Sequence, residues 1–170
     1  MSLAKHIKIS SEQEFVAKFG AAYEHSPWAA QRAWHKLNDG KMKNALDVFN
    51  AMRSVVEKAS NGEKLKLIRL HPDLADKAKI SEMTFASQAE QSSAGLTHLT
   101  EHEYAEFTRL NNAYKEKFRF PFIFAVRGYE KSDILEAFKN RLNNSSEEEF
   151  DTAIRQVHVI ALRRIEELVK

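Results

Sequence analysis

Apolar residues with helical spacing run through most of this chain, and few residues interrupt them. From Met42 to Val56 an apolar side chain recurs every three or four positions, which places these side chains on one face of an α-helix. The same spacing recurs from Tyr104 to Phe118 and from Phe150 to Leu168. Only five glycines and three prolines occur in 170 residues, too few for the many tight turns of a sheet protein. The sequence therefore predicts an all-α fold.

Signals for helix starts agree with these stripes. A hydroxyl residue followed three positions later by glutamate forms a capping box, because each side chain satisfies a backbone N–H group near the helix start. Such pairs occur at Ser11 and Glu14, at Thr100 and Glu103, and at Ser145 and Glu148. Ser26 followed by Pro27 fits an N-cap with proline at the first helical position. We predict seven or more helices, seven of them over residues 11–19, 27–37, 41–59, 62–70, 100–117, 131–143 and 146–168.

Two stretches of the sequence interrupt the helical pattern and are candidates for functional loops. Residues 71–99 carry no long apolar stripe, and residues 118–128 are dense in phenylalanine and contain Pro121. Because proline cannot donate to a strand ladder, we expect an extended connection rather than a strand in the second stretch. Loops on a rigid scaffold often carry function. We expect residues 1–170 to form a single helical domain, with a flexible end over residues 1–9, and both stretches to lie at the active site.

Composition excludes several classes of function. The 26 basic and 24 acidic residues leave a formal charge of only +2, which does not favour a nucleic acid or an anionic membrane as partner. The absence of cysteine removes disulfides, thiolate nucleophiles and cysteine-ligated zinc. No secretory signal and no apolar run of about 20 residues is present, so we expect a cytoplasmic protein without a membrane span.

Motifs for metal or phosphate binding are also missing from the sequence. His98 and His102 are four residues apart, but the cap at Thr100 places His98 before the helix and away from a shared face. There is no phosphate-binding glycine loop and no nucleophile elbow. We therefore predict that the protein has no metal site.

His71 and Glu90 are the two candidates for acid–base chemistry in the first non-helical stretch. Pro72 disfavours helical geometry at His71, so the preceding helix should end there and leave an imidazole that can exchange protons near neutral pH. A histidine that only complements the helix dipole is the alternative. Glu90 lies in the polar run 87–96, which suits a loop or short helix around a polar ligand. A solvated surface glutamate is the alternative there.

Two further elements are candidates for substrate binding. The extended run from Phe120 to Val126 offers backbone donors beside an apolar wall, although its phenylalanine side chains fit plain core packing better. Arg163 and Arg164 lie between apolar positions of the last predicted helix. Either can clamp a carboxylate with two hydrogen bonds, or can extend along the surface with its charge in water.

Five motifs in order resemble one known family. The resemblance covers about residues 10–169, and each motif alone is weak. The motifs are His25-Ser26-Pro27-Trp28, Leu70-His71-Pro72-Asp73-Leu74-Ala75, Ser87-x-x-Glu90-Gln91-x-x-Ala94-Gly95-Leu96, Asn111-x-x-Tyr114-x-x-Lys117-Phe118-x-Phe120-Pro121-Phe122-Ile123, and Ile160-Ala161-x-x-Arg164-Ile165-x-x-Leu168. Together they are similar to the 2-oxo-4-hydroxy-4-carboxy-5-ureidoimidazoline (OHCU) decarboxylase family of urate degradation.

The resemblance implies an all-α homodimer that converts OHCU to (S)-allantoin with loss of carbon dioxide and without metal or organic cofactor. It implies catalytic roles for His71 and Glu90. It implies substrate contacts from Pro72, Gln91, Phe122, Ile123 and Arg164, with Arg163 as the alternative to Arg164. Two departures from the family pattern are visible: Arg119 stands where glycine is common, and Ile165 replaces a usual leucine.

Two other readings of the residues stay open at this point. A helical protein–protein interaction module would explain the apolar stripes, but it would not need the His-Pro and Glu-Gln segments. A related lyase that acts on another ureido or imidazoline acid would need both.

Overall fold

The fold is all-α, as the apolar spacing predicted. The computed structural model describes residues 7–37 and 42–170, and within these ranges no strand is assigned. Residues 1–6 of the predicted flexible end, and Lys41 at the predicted start of the third helix, lie outside the described residues. The described elements are the helices α1 (Glu12–Phe19), α2 (Trp28–Trp34), α3 (Ala45–Lys58), α4 (Asn61–Arg69), α5 (Phe85–Ser93), α6 (Glu101–Phe118), α7 (Lys131–Arg141) and α8 (Ser146–Leu168), with a 3₁₀ helix at Lys77–Glu82.

Three helices begin directly after a hydroxyl residue that the sequence predicted as the N-cap. At α8 the capping box is complete, because Ser145 N donates to Glu148 at 2.8 Å and Glu148 N donates to the Ser145 hydroxyl at 3.2 Å. Thr100 caps α6 through the N–H of Glu103. The hydroxyl of Ser11 caps α1 in the same way. Side-chain oxygens at these positions satisfy backbone donors that the helix leaves without partners.

Two details of the predicted caps are wrong. The main donor to the carboxylate of Glu14 is the N–H of Ser10, at 2.8 Å, one residue before the cap. The predicted cap at Ser26 is displaced by one residue, since Pro27 is the N-cap of α2. The hydroxyl of Ser26 instead donates to the carbonyl of Glu24 at 2.9 Å.

The first predicted non-helical stretch is partly helical. Residues 71–99 contain the 3₁₀ helix and the nine residues of α5. Thr84 caps α5 by accepting from the N–H of Ser87. The side chains that α5 buries are those of Ser87 and Gln91. A helix that buries polar groups has no apolar stripe, so its period could not be recognised in the sequence.

The second stretch is extended, as predicted. Helix α6 ends at Phe118, and Arg119 follows with a left-handed backbone, φ 64°. Residues 121–126 have no regular secondary structure. The reversal at Arg119 is what turns the chain out of the helix into this segment.

The chain divides into two compact units. One consists of residues up to Leu67 together with His158–Lys170, and the other consists of Ile68–Val157. That residues 1–170 form a single domain stays a prediction. In the first unit, α2 contacts α3. The side chains that α2 buries are small, those of Ala29, Ala30 and Ala33, so the backbones of two helices can pack closely there.

Aromatic side chains form the core of the second unit. The ring of Phe122 stacks on that of Phe138 with centroids 3.8 Å apart. Tyr114 contacts Phe122 edge-on at 5.3 Å and also meets Phe118 at 4.6 Å. Such pairs contribute about 0.5–1.5 kcal/mol beyond their buried area. The extended segment is therefore anchored to α6 and α7 by its own phenylalanine side chains, as the core-packing alternative for these side chains predicted.

In the first unit, two buried side chains, those of Tyr23 and His158, are linked in series to the exposed carboxylate of Glu57. The hydroxyl of Tyr23 lies 2.7 Å from Nδ1 of His158, and Nε2 of His158 lies 2.9 Å from a carboxylate oxygen of Glu57. Burial raises the pKa of Tyr23, so its phenol keeps its proton. Burial also lowers the pKa of His158, and this effect, aided by Arg53 and Lys64, exceeds the opposing effect of Glu57. A neutral imidazole that accepts from Tyr23 and donates to Glu57 satisfies all three groups.

We expect this histidine to make the protein less stable in mild acid. Because the pKa of His158 is lower in the folded than in the unfolded chain, the unfolded chain takes up the proton first as the pH falls through about 6.5. Urea unfolding at about pH 7.5 and about pH 5.5, for the wild type and for His158→Gln, measures this loss. The variant should lose less free energy of unfolding between the two pH values, by at most about 1.4 kcal/mol per pH unit. An equal loss in both proteins would contradict the expectation.

Candidate active site

His71 stands at the end of a helix, as its position before Pro72 predicted. Helix α4 ends at Arg69, and the N–H of His71 donates to the carbonyl of Ile68 at 3.1 Å. The side chain is mostly buried, with 8% of its surface exposed. An imidazole in such a place is shielded from bulk water but lies outside the regular helix, where loop backbone determines its direction.

A glutamine on α5 holds the loop that follows His71. The carboxamide oxygen of Gln91 accepts from the N–H of Ala75 at 2.9 Å, and its nitrogen donates to the carbonyl of Asp73 at 3.2 Å. Gln91 is itself buried. Ala75 has a left-handed backbone, φ 60°, which a residue with a side chain adopts only when its surroundings enforce it.

Helix α6 holds the same loop from a second direction. The Asn111 side-chain nitrogen donates to the carbonyl of Leu74 at 2.8 Å. The ammonium group of Lys115 forms an ion pair with the carboxylate of Asp73. Residues 73–75 are thus bonded to side chains of two helices. Buried backbone groups need such partners where no regular structure supplies them.

Glu90 lies on the buried side of α5. It is half-buried and comes three residues after Ser87 and one before Gln91, the two side chains that this helix buries. Residues three apart share a helix face. The structure therefore places Glu90 and Ser87 on the same face of α5. The prediction of a loop or short helix here is resolved in favour of the helix.

Burial and hydrogen bonds with side chains of other elements hold the backbone of the extended segment in place. Ile123 and Phe122 are almost completely buried. The carbonyl of Ile123 accepts from Nη1 of Arg141 at 2.6 Å, and the N–H of Ala125 donates to the side chain of Gln156 at 2.9 Å. Since no strand occurs in the described ranges, the N–H groups of this segment are not engaged in a sheet ladder.

A buried ion pair that the sequence did not reveal supports this segment. Glu149 is fully buried and accepts from Arg141, at 2.9 Å to the Nη2 atom, and from Asn144 at 2.9 Å. The hydroxyl of Tyr114 also donates to it. Burial and this hydrogen bond both raise the pKa of Tyr114. The guanidinium of Arg141 also lies 4.4 Å from the ring centre of Phe122, close enough for a cation–π interaction.

In the first unit, Arg164 is the buried member of the arginine pair. Its exposed fraction is 7%, whereas Arg163 is half-buried. Nη1 of Arg164 donates to a carboxylate oxygen of Glu24 at 2.7 Å, and Glu24 is fully buried. The buried carboxylate of Glu24 keeps the guanidinium of Arg164 charged and fixes the direction in which it points. Glu24 stands directly before the motif that begins at His25, and no pattern in the sequence singled it out.

A cavity of about 320 Å³ lies beside another face of α5. Phe85, Gln88, Ala89, Ser92 and Leu96 are among its lining residues, together with Gln91. None of His71, Glu90 and Phe122 lines it. This cavity is therefore not the place where the predicted catalytic residues meet.

Neither a cluster of metal ligands nor a membrane span is found among the described residues. Over residues 7–37 and 42–170, no group of three or more histidine, aspartate or glutamate side chains could hold a metal ion. His98 precedes α6 and His102 lies in its first turn, both exposed. No helix in this part of the chain is both long enough and apolar enough to cross a membrane.

Known proteins are similar to this chain over most of its length. The sequence matches the family described as OHCU decarboxylase over residues 9–166. It is 42% identical to a 2-oxo-4-hydroxy-4-carboxy-5-ureidoimidazoline decarboxylase of Haloferax volcanii, over 92% of this chain and 89% of the relative. The crystal structure of an (S)-allantoin synthase superposes with a TM-score of 0.75 at 31% identity, over 94% of this chain and 51% of that one.

A second crystal structure extends the likeness in fold. It is a structure of OHCU decarboxylase in the presence of (S)-allantoin, with a TM-score of 0.69 over 94% of this chain and 99% of the other. At 20% identity it bears on the fold alone. The family match spans most of the chain, and the Haloferax relative is well above 30% identical over nearly its whole length. The chain belongs to the OHCU decarboxylase family.

Proposed function

We propose that this protein decarboxylates OHCU to (S)-allantoin in urate degradation, without a metal or organic cofactor. The observation that carries the proposal is that the chain belongs to the OHCU decarboxylase family. It has a histidine at position 71, just after α4, and a glutamate at position 90, within α5. A reaction without a cofactor must rely on positioned donors and acceptors of the protein. His71 is mostly buried and Glu90 is half-buried, so both side chains are held close to the protein interior while they keep the groups that such chemistry needs.

We propose that His71 starts the reaction at the substrate hydroxyl. Breaking the bond between the ring carbon and the carboxylate releases carbon dioxide and leaves an electron pair. This pair forms a double bond to the neighbouring ring carbon, while the electrons of the ring C=N bond move to its nitrogen, which takes up a proton. The hydroxyl on the same carbon loses its proton to His71 and becomes a carbonyl. The neighbouring ring carbon gains a proton, and its delivery to one face gives one enantiomer. Proton transfer of this kind is the usual work of a histidine near neutral pH.

The other residues bind and orient the substrate in this proposal. Glu90 accepts from ureido or ring N–H groups, since a carboxylate has only acceptors to offer. The backbone N–H groups of Phe122 and Ile123 donate to a ring carbonyl. Arg164, directed by Glu24, binds a carboxylate or carbonyl oxygen. Pro72 restricts the backbone of His71 and lies beside the substrate.

Chiral analysis of the product tests the proposed activity. OHCU decays spontaneously to racemic allantoin, so an excess of one enantiomer requires a catalyst. We expect purified protein, mixed with freshly generated OHCU, to release carbon dioxide faster than the buffer control and to give an excess of (S)-allantoin. Racemic product formed at the uncatalysed rate would contradict the proposal and would favour the interaction-module reading. Turnover of another ureido or imidazoline acid in preference to OHCU would favour the related lyase.

We further infer a homodimer that acts in the cytoplasm. The support is the family resemblance for the dimer, and for the compartment the cysteine-free sequence, which suits a reducing environment. The mass in solution tests the first part: a monomer has 19.5 kDa, and a dimer has twice that mass. Fractionation of cells that express the protein tests the second.

A further inference from the structure

We propose that Gln91 is a positioning residue for His71. Its carboxamide bridges two backbone groups of the loop that follows His71 and so fixes the direction in which the imidazole is presented. The inference rests on the proposed catalytic role of His71 and goes beyond it, because it gives Gln91 a function other than the substrate contact that the family resemblance implies.

The geometry of the bridge carries the argument. Ala75 N–H donates to the carboxamide oxygen at 2.9 Å, and the carboxamide nitrogen donates to the carbonyl of Asp73 at 3.2 Å. One side chain therefore bonds to a donor and to an acceptor two residues apart. Two such bonds restrict both the position and the rotation of the loop, whereas one bond would leave rotation free.

The loop needs this restriction because its backbone is strained. Ala75 has φ 60°, a conformation that residues with a Cβ atom rarely adopt and that persists only when the surroundings enforce it. Gln91 holds the N–H of that same residue. Without the bridge, Ala75 could relax to an ordinary backbone conformation, and the relaxation would displace the chain four residues from His71. A displacement of about 1 Å at a reacting group can cost a factor of about 10² in rate.

The contacts of Gln91 favour positioning over substrate binding. Its exposed fraction is 6%, and its nitrogen also lies 3.6 Å from the sulfur of Met83. Both ends of the carboxamide therefore already have protein partners. A substrate contact would have to break or share these bonds.

Gln88 provides a matched control on the same helix. It lies one turn earlier in α5, and its side-chain nitrogen donates to the carbonyl of Met83 at 3.1 Å. Gln91 and Gln88 thus both contact Met83 from α5, but the bonds to Asp73 and Ala75 come from Gln91. Replacing either glutamine with methionine keeps the length of the side chain and removes its hydrogen bonds.

The experiment compares kcat and KM of Gln91→Met and Gln88→Met. We expect Gln91→Met to lower kcat roughly 10- to 100-fold with little change in KM, and Gln88→Met to keep both. A rise in KM with unchanged kcat would make Gln91 a substrate-binding residue and overturn the inference. Wild-type kinetics in Gln91→Met would overturn it as well. Gln91→Glu keeps an acceptor for Ala75 but loses the donor to Asp73, so it should lie between the wild type and Gln91→Met, and it provides the test if the methionine variant does not fold.

A double-mutant cycle separates positioning from a general loss of structure. If Gln91 acts through His71, then Gln91→Met should cost little in a protein that already carries His71→Asn, because the imidazole it positions is gone. An equal loss in both backgrounds would mean that Gln91 supports the fold at large, and would overturn the inference. Full activity of His71→Asn itself would instead refute the proposed role of His71, so the two failures can be told apart.

Discussion

Replacing His71 with alanine is expected to lower kcat by about 10²–10⁴-fold or more, because the proposed general base for the substrate hydroxyl is lost. The residue stands at the end of α4 with 8% of its surface exposed, and its loop is held by side chains of two helices. No neighbouring group within that loop replaces an imidazole, since Asp73 is already paired with Lys115. The loss should therefore appear in the chemical step rather than in binding.

The measurement for His71→Ala is the rate of carbon dioxide release together with the enantiomeric excess of allantoin. As catalysis falls toward the spontaneous reaction, the product should approach a racemate. His102→Ala is the matched control, because His102 is exposed in the first turn of α6 and should be replaceable without effect on kcat. Full turnover by a correctly folded His71→Ala protein would rule out the assignment of this histidine.

Replacing Arg141 with methionine is expected to destabilise the protein by about 3–5 kcal/mol, the usual cost of removing one partner of a buried ion pair. The remaining carboxylate of Glu149 is fully buried and would lose its counter-charge. The carbonyl of Ile123 would lose its donor at the same time. Arg141 also holds the extended segment, through the carbonyl of Ile123. We therefore expect the folded fraction of the variant to bind the substrate more weakly than the wild type does.

Urea unfolding of Arg141→Met measures the stability, with Arg109→Met as control. Arg109 also pairs with a glutamate, Glu106, at 3.0 Å, but its side chain is 62% exposed. Exposed pairs of this type contribute little to stability, so the control should unfold close to the wild type. Equal destabilisation of the two variants would show that burial of the ion pair is not what gives Arg141 its importance. For a chain of this size, 3–5 kcal/mol corresponds to a fall in Tm on the order of 10 °C.

How well the sequence predicted each helix depended on what that helix buries. The apolar stripe of α3 could be recognised in the sequence because the side chains that this helix buries are apolar and follow the helical period. They are Val48, Phe49, Met52, Val55 and Val56. Helix α5 was predicted only as one of two alternatives, a loop or a short helix, because the side chains it buries belong to Ser87 and Gln91. A helix that buries polar side chains cannot be found from apolar periodicity.

The candidate site was predictable only where its signal is local. Pro72 next to His71 is a neighbour effect, and it correctly ended α4. The contacts that hold the site join distant residues: Gln91 and Ala75 are 16 apart, and Asn111 and Leu74 are 37 apart. Such pairs form only when the helices have packed, so no spacing rule could have named them. The same holds for Glu24, which meets Arg164 across 140 residues of chain.

The left-handed arginine at the end of α6 has a consequence for how this protein could change. Arg119 adopts φ 64°, a conformation that costs a residue with a side chain about 1–2 kcal/mol and costs glycine little. This chain therefore keeps the turn against a steric penalty. An Arg119→Gly variant would gain tolerance, because destabilising substitutions in the neighbouring extended segment could then accumulate without unfolding the protein.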